Sequence, residues 1–516
     1  MRKIWLVAVS ILGAACCAIL PISSAQSPPS GTTPPVKDLR TEVSAINPHE
    51  PHCNLTKQTL DVTSAQLTSG LPCTPTLIAP FDDIVNLQFG FDFYSWLTFI
   101  ALNTPADGQN VIGRGPGAGG DSITKWEQYK QLPDVMLLPK GKPPAPQFEA
   151  LPGSAPSDVA QHCGKRIEAG SLVIHLEAED TYNQPFKSGP LIDQNGYNAY
   201  FVILMNEPMF RYILNNNLYS IKGQEAFKRR NEVDFGKFDR EADEPKHAVD
   251  PNAPGIVNFP NGSADDDSPK HAESHTIGSI MIKASWKQLG PSDDPSKFHT
   301  NRAIIYTPGS ADGTRPATCV AKTLGMVGFH IGHKTNGAHQ WVWSTFEHVN
   351  NVPAQHDVDE HKISGQTRFN FYNPECNPSN CPANKTPPRP WDPATQPFPG
   401  GFRSQITRVI PITPSVANLN SAFRAILTNT VWENYMLVST QWPSLQVCAQ
   451  KAIPSTLPDP TCAPAPTYLA NTTLETYSQG NVPLASSSCI ACHGNATTHH
   501  KPATPSDFTF ILEKAH

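Results

Sequence analysis

Charged side chains are scarce in this chain. Asp, Glu, Lys and Arg make up 16% of its 516 residues, against about 25% in an average globular protein. The formal net charge is −6, so no basic field exists to gather phosphates, and a nucleic-acid-binding role is not expected. Long apolar runs are missing after the first twenty residues, which leaves the mature chain without a segment suited to spanning a bilayer. Methionine is rare as well, with 7 in the chain and none beyond Met436. Proline, by contrast, is abundant at 52 residues, about twice its usual frequency. High Pro with little charge predicts long irregular connections and argues against coiled coils, helical bundles and tandem helical repeats.

The first 25 residues have the pattern of a secretory signal peptide. Met1-Arg2-Lys3 is followed by an apolar run from Ile4 to Leu20, and Ser23-Ser24-Ala25 offers small residues for cleavage after Ala25. Export to an oxidising compartment agrees with the cysteines. Setting aside Cys16 and Cys17 in the leader and two in the motif below leaves an even set: Cys53, Cys73, Cys163, Cys319, Cys376, Cys381, Cys448 and Cys462. Cys376 with Cys381 and Cys448 with Cys462 enclose short loops, leaving Cys53 with Cys73 and Cys163 with Cys319. Eight cysteines nevertheless allow about 105 connectivities, and spacing does not choose among them. No CxxC pair occurs among the eight, which argues against a structural metal site.

Residues 26–79 read as a Pro-rich lead with a disulfide-bonded N-terminal segment, followed by one large mixed α+β domain over 80–466 with long Pro/Gly-rich loops. Phe89 to Leu102, with Trp96 at its centre, has apolar spacing that predicts a buried helix. Ala199 to Tyr219 reads as a second helix, ended or kinked by Pro208. Strands are expected around residues 279–285, 302–306, 323–333, 340–348 and 431–440, with a helix over 418–427. Residues 467–516 form the C-terminal segment. In it Tyr468 to Gln479 is expected to be helical, and Asp507 to Leu512 an edge strand.

That segment holds Ser488-Cys489-Ile490-Ala491-Cys492-His493-Gly494. C-x-x-C-H is the attachment motif for haem c, in which two thiols add across the vinyl groups of one porphyrin and the adjacent His ligates the iron. A redox CxxC of thioredoxin type would need a βαβ setting, which the surrounding sequence does not offer. Cys489 and Cys492 are therefore the expected covalent anchors and His493 the proximal iron ligand. Only 23 residues follow His493, and none is Met. So short a tail has too little apolar surface to enclose a porphyrin, so this is not a free-standing class I cytochrome c, and the upstream domain must cover the haem. A sixth ligand would also come from upstream, unless His499, His500 or His516 folds back. On a regular strand Leu324, Met326, Gly328, His330 and Gly332 share one face. Met326 or His330 is then the candidate distal ligand, with Gly328 and Gly332 leaving room for a flat ring. His339, Trp341, Trp343, Phe346, Glu347 and His348 form an aromatic block that serves as core, or places Glu347 or His348 to tune the iron or move protons.

Several strings extend this reading: SWLTFIALN at 95–103, KASWKQL at 283–289, GMVGFHIGHKT at 325–335 and WVWSTFEHVNNVP at 341–353. QWP at 441–443, LANTTLETY at 469–477 and SCIACHG at 488–494 complete the set. Together, over roughly residues 80–516, the chain resembles exported bacterial proteins called cytochrome c family proteins. The resemblance implies one covalent haem c at Cys489 and Cys492, His493 as proximal ligand, and a periplasmic setting. The expected function is electron transfer with a periplasmic redox partner protein. The alternatives are a haem-dependent oxidoreductase of peroxidase or oxidase type with an open iron position, and a redox-reporting binding module.

Overall fold

The computed structural model describes residues 84–106, 123–139, 142–148, 159, 162–164, 171–176, 178–229, 257–261, 278–310, 312–335, 338–443, 464–480, 487–501 and 503–516. The expected signal peptide, the Pro-rich lead, Cys53, Cys73, Cys448 and Cys462 lie outside them. In chain order the main elements are α1 (Ile84–Leu102), β1 (Lys130–Gln131), α2 (Pro133–Met136), β2 (Val173–His175), β3 (Tyr200–Met205), α3 (Glu207–Asn215), α4 (Ile221–Arg229) and β4 (Ile280–Gln288). They continue with β5 (Thr300–Thr307), β6 (Thr318–Thr335), β7 (Ala338–His348), α5 (Gln355–Asp359), α6 (Pro414–Ile426), β8 (Tyr435–Pro443), β9 (Pro464–Ala465) and α7 (Cys489–His493). The mixture is α+β, as expected, and the sheet is largely antiparallel.

Among the described residues one sheet runs in the order β1-β3-β4-β6-β7-β8-β9. The far half of the long β6 carries β5, which pairs in parallel with β2. Antiparallel partners point to the same side, so the register sorts the sheet into two faces. On one face lie the rungs Met205–Met281–Gly332–Trp343–Gln441 and Ile203–Lys283–His330–Thr345–Ser439, then Phe201–Ser285–Gly328–Glu347. On the other lie Leu204–Ile282–Ile331–Ser344–Thr440 and Val202–Ala284–Phe329–Phe346.

The helix expected around Trp96 is α1, and it lies on this second face. Trp96 stacks on Phe423 of α6 at 5.0 Å and meets Phe346 of β7 edge-on at 5.1 Å. Its indole N–H donates to Asn420 of α6. Helix α1 is thus sandwiched between sheet and α6, which explains why nearly every described side of it is apolar.

Three expectations are corrected. Ala199 to Tyr219 is not one helix but strand β3 followed by α3. Asn206 caps α3 by accepting from the Met209 N–H, and Pro208 occupies its first turn, where a missing N–H is harmless. Tyr468 to Gln479 forms turns and one short 3-10 turn at Thr476–Ser478, because its Asn and Thr side chains bond to the sheet. Residues 507–512 give a turn and a 3-10 helix at Phe510–Lys514, not an edge strand. Two of the cysteine pairings left open by spacing are present, Cys163–Cys319 and Cys376–Cys381.

Asp92 of α1 is buried, and its Oδ1 accepts from the Thr440 N–H at 2.9 Å and from Gln88 at 3.1 Å. Burial outweighs these bonds and raises its carboxyl to about 7. A carboxyl that keeps its proton only when folded destabilises the fold as pH rises from its unfolded value, near 4, to about 7. Asp92→Asn is expected to remove that decline, a gain of up to ~4 kcal/mol at pH 8, and to be nearly neutral at pH 4. Urea denaturation of both proteins across this range checks it.

Candidate functional site

Residues 471–475 lie over the first face of the sheet, held there by polar groups that reach down to the strands. Thr473 Oγ1 meets Ser285 Oγ at 2.6 Å. Asn471 donates to Thr345 Oγ1 at 2.8 Å and to the Phe346 carbonyl at 2.9 Å. Thr472 donates its N–H and its hydroxyl to Glu347, at 2.6 and 2.5 Å. A Cβ at Gly328 would stand 2.2 Å from Thr473 Oγ1. The space at Gly328 is therefore filled by this strap and is not open to a flat ring, contrary to expectation. Gly332 does line a cavity.

The motif follows on α7. Ser488 caps it by accepting from the Ala491 N–H at 3.3 Å. Gln441 of β8 anchors it, its Oε1 accepting from Ser488 Oγ at 3.1 Å and from the Ile490 N–H at 2.8 Å. His493 packs at a tilt against Trp343 at 4.3 Å and against Phe510 at 5.2 Å. Its Nδ1 lies 2.8 Å from the Phe508 carbonyl oxygen. A carbonyl only accepts, so Nδ1 carries the proton and Nε2 keeps its lone pair. Burial lowers the imidazole to about 4, so the ring is neutral at physiological pH. A neutral imidazole with Nδ1 tied to a carbonyl is prepared for ligation through Nε2.

Cys489 and Cys492 are half-buried and unpaired. Burial, reinforced by the charge of Glu475, pushes both thiols up, Cys492 to about 12. Protonated thiols of this kind lack the low-pKa thiolate that redox CxxC sites depend on. Both cysteines and His493 line a cavity of about 470 Å³, within the ~300–1,000 Å³ typical of cofactor sites. Leu132, Ile203, Met281, Trp343, Phe510 and Ile511 make its walls apolar. Lys283, His330 and Glu475 are polar groups among them. His330 Nε2 stands 3.3 Å from Glu475 Oε2. Burial works against the charge on Glu475, but His330, Lys283 and the Asn471 N–H outweigh it and hold the carboxyl below its usual range.

The expected pairing of Met326 with His330 on one face does not occur. Between Ser285–Gly328 and Trp286–Met326 the register slips by one, leaving Val327 as a bulge. Met326 is thereby turned to the face that carries Trp286, where it is fully buried, and only His330 reaches the cavity. Glu347 and His348 are also accounted for elsewhere. Glu347 is paired with Arg408 through both oxygens, at 3.1 and 2.7 Å. His348 stacks on Phe298 at 4.4 Å and accepts from the Asn350 N–H, and burial lowers its imidazole to about 3. His333 bonds to Tyr94 under α1. His499, His500 and His516 do not line the cavity. The side chain of His339 lies outside the described residues. Gln441, Glu475, Lys283 and the Phe508 carbonyl were not foreseen, because each reaches the site through strand register or a distant turn.

No protein-family model, curated protein or solved structure matches the chain. Among the described residues no helix is long and apolar enough to cross a membrane, and no three His, Cys, Asp or Glu side chains are grouped to chelate a bare metal ion.

Gln441→Ala would strip both the Ser488 hydroxyl and the Ile490 N–H of their acceptor, at a cost of about 1–3 kcal/mol. Amide hydrogen exchange is expected to speed up over residues 488–494 by at least tenfold, while strands β4 and β6 stay protected.

Proposed function

We propose that the protein is a periplasmic monohaem c-type cytochrome that transfers electrons to or from a redox partner protein. Cys489 and Cys492 would hold the porphyrin through thioether bonds, and His493 Nε2 would ligate the iron. The observation that carries this reading is the state of His493, neutral, with Nδ1 bonded to the Phe508 carbonyl and Nε2 free to ligate, next to Cys492 and four residues after Cys489, both thiols protonated, on a largely apolar cavity. The residues present fit the group. The thiols and the imidazole are the donor set haem c requires, and Trp343, Met281, Ile203 and Phe510 suit the apolar faces of a porphyrin.

When bound, haem supplies reversible one-electron exchange between ferric and ferrous iron. The chain's own residues set the conditions for it. Trp343 and Phe510 pack against the His493 ring and restrict its orientation. The Phe508 carbonyl holds the Nδ1 proton and enriches Nε2 in electron density. Lys283 lies over the Phe201 ring at 5.4 Å and places a cation on a wall suited to a carboxylate-bearing ligand.

A second reading, a haem-dependent oxidoreductase, is favoured by the His330–Glu475 contact. His330 directs Nε2 at a carboxylate, an arrangement suited to holding a proton near a bound substrate rather than to binding metal.

Two experiments separate these outcomes. Cys489→Ala/Cys492→Ala is expected to abolish haem that survives acid–acetone extraction of the matured protein, and retained covalent haem would refute the assignment. His330→Ala is expected to convert a low-spin spectrum to high-spin if His330 is the sixth ligand. A wild-type spectrum that is already high-spin and binds carbon monoxide favours the oxidoreductase.

A further inference from the structure

The carbonyl that orients His493 is presented by a strained turn. Asp507 and Phe508 both have left-handed backbone, at φ 52° and 61°, a region that L-residues enter only against steric resistance and bulky ones rarely. A turn that merely closed the chain would be served by Gly or Asn at these positions. Here the turn is held by a buried charge pair. Asp507 Oδ2 accepts from Lys334 Nζ at 2.5 Å and from the Phe259 N–H at 2.7 Å. Lys334 Nζ also donates to Asn258 Oδ1 at 2.5 Å, and neither member of the pair is exposed to solvent. Burial pushes the Asp507 carboxyl up and the Lys334 ammonium down, yet a hydrogen bond joins the same two atoms wherever the proton lies.

We propose that the Lys334–Asp507 pair is the positioning device for His493. Lys334 stands near the end of β6, so the pair ties the turn at residues 507–508 to the sheet on which the cavity is built. The turn, pinned in its strained form, delivers the Phe508 carbonyl to Nδ1 of His493 and so fixes both the tautomer and the electron density on Nε2. Stability alone gives little reason for such a pair, because apolar replacements of similar volume are often neutral or stabilising. The inference rests on the proposal that His493 ligates haem iron, though the orienting contact itself is independent of haem.

The test uses the matured protein with Asp507→Asn and with the double variant Lys334→Met/Asp507→Asn, which leaves no buried charge unpaired. Two quantities are read, the midpoint potential and the solvent exchange of the His493 Nδ1–H proton by NMR. In both variants the potential is expected to rise, the reduction equilibrium shifting by about tenfold or ~59 mV for one electron, and Nδ1–H exchange is expected to quicken at least tenfold. Variants that lose stability while keeping the wild-type potential and exchange rate would overturn the proposal and leave the pair a packing element. If the wild type carries no covalent haem, the haem assignment fails by itself. The exchange rates of wild type and variants then still decide the positioning role, and equal rates refute it.

Discussion

A single buried carboxylate governs how this molecule is assembled. Glu347 has no contact with solvent, and a charge so placed is tolerated only when every neighbour serves it. Arg408 meets both its oxygens, and Thr472 gives it a backbone N–H and a hydroxyl. Two stretches far apart in sequence, around Arg408 and Thr472, are thereby drawn to one point on β7. Once Thr472 is fixed there, Asn471 and Thr473 reach the sheet beside it, and Glu475 comes within ion-pair distance of His330. The strap that leads toward the motif is laid down by polar bonds rather than by a helical apolar stripe.

The two faces of the sheet divide the work. One is sealed by α1 and α6, with Trp96, Phe99, Phe346 and Phe423 packed ring against ring. The other carries Lys283, His330 and Thr345 along one rung and receives the C-terminal segment. Between strap, α7 and strands a largely apolar cavity remains, with His493 and the two thiols on its wall. The sheet supplies part of that wall, with Trp343 against the imidazole. The large domain is thus part of the site and not an appendage to it.

The motif and the helix around Trp96 were legible from sequence because both depend on local order. CxxCH places thiols and imidazole within five residues of one short helix, and an apolar run of helical length identifies α1. The mixed α+β class, most strands and α6 followed from apolar alternation and breaker residues. Tyr200 to Met205 was misread because a continuous apolar run has no period to distinguish strand from helix. Tyr468 to Gln479 was misread because its Asn and Thr side chains satisfy the backbone and sheet at long range, which no local rule registers.

By itself the sequence determined the chemistry available, two thiols and an imidazole in haem-attachment spacing. Only the tertiary structure decided which groups surround that imidazole. One bulged residue, Val327, separates Met326 from His330, since the side-chain period of a strand is two and a slip of one reverses the face. Trp343, Gln441 and the Phe508 carbonyl meet at α7 only because strand register and a strained, ion-paired turn bring them there. Such contacts are energies between distant residues, and they exist only once the sheet has formed.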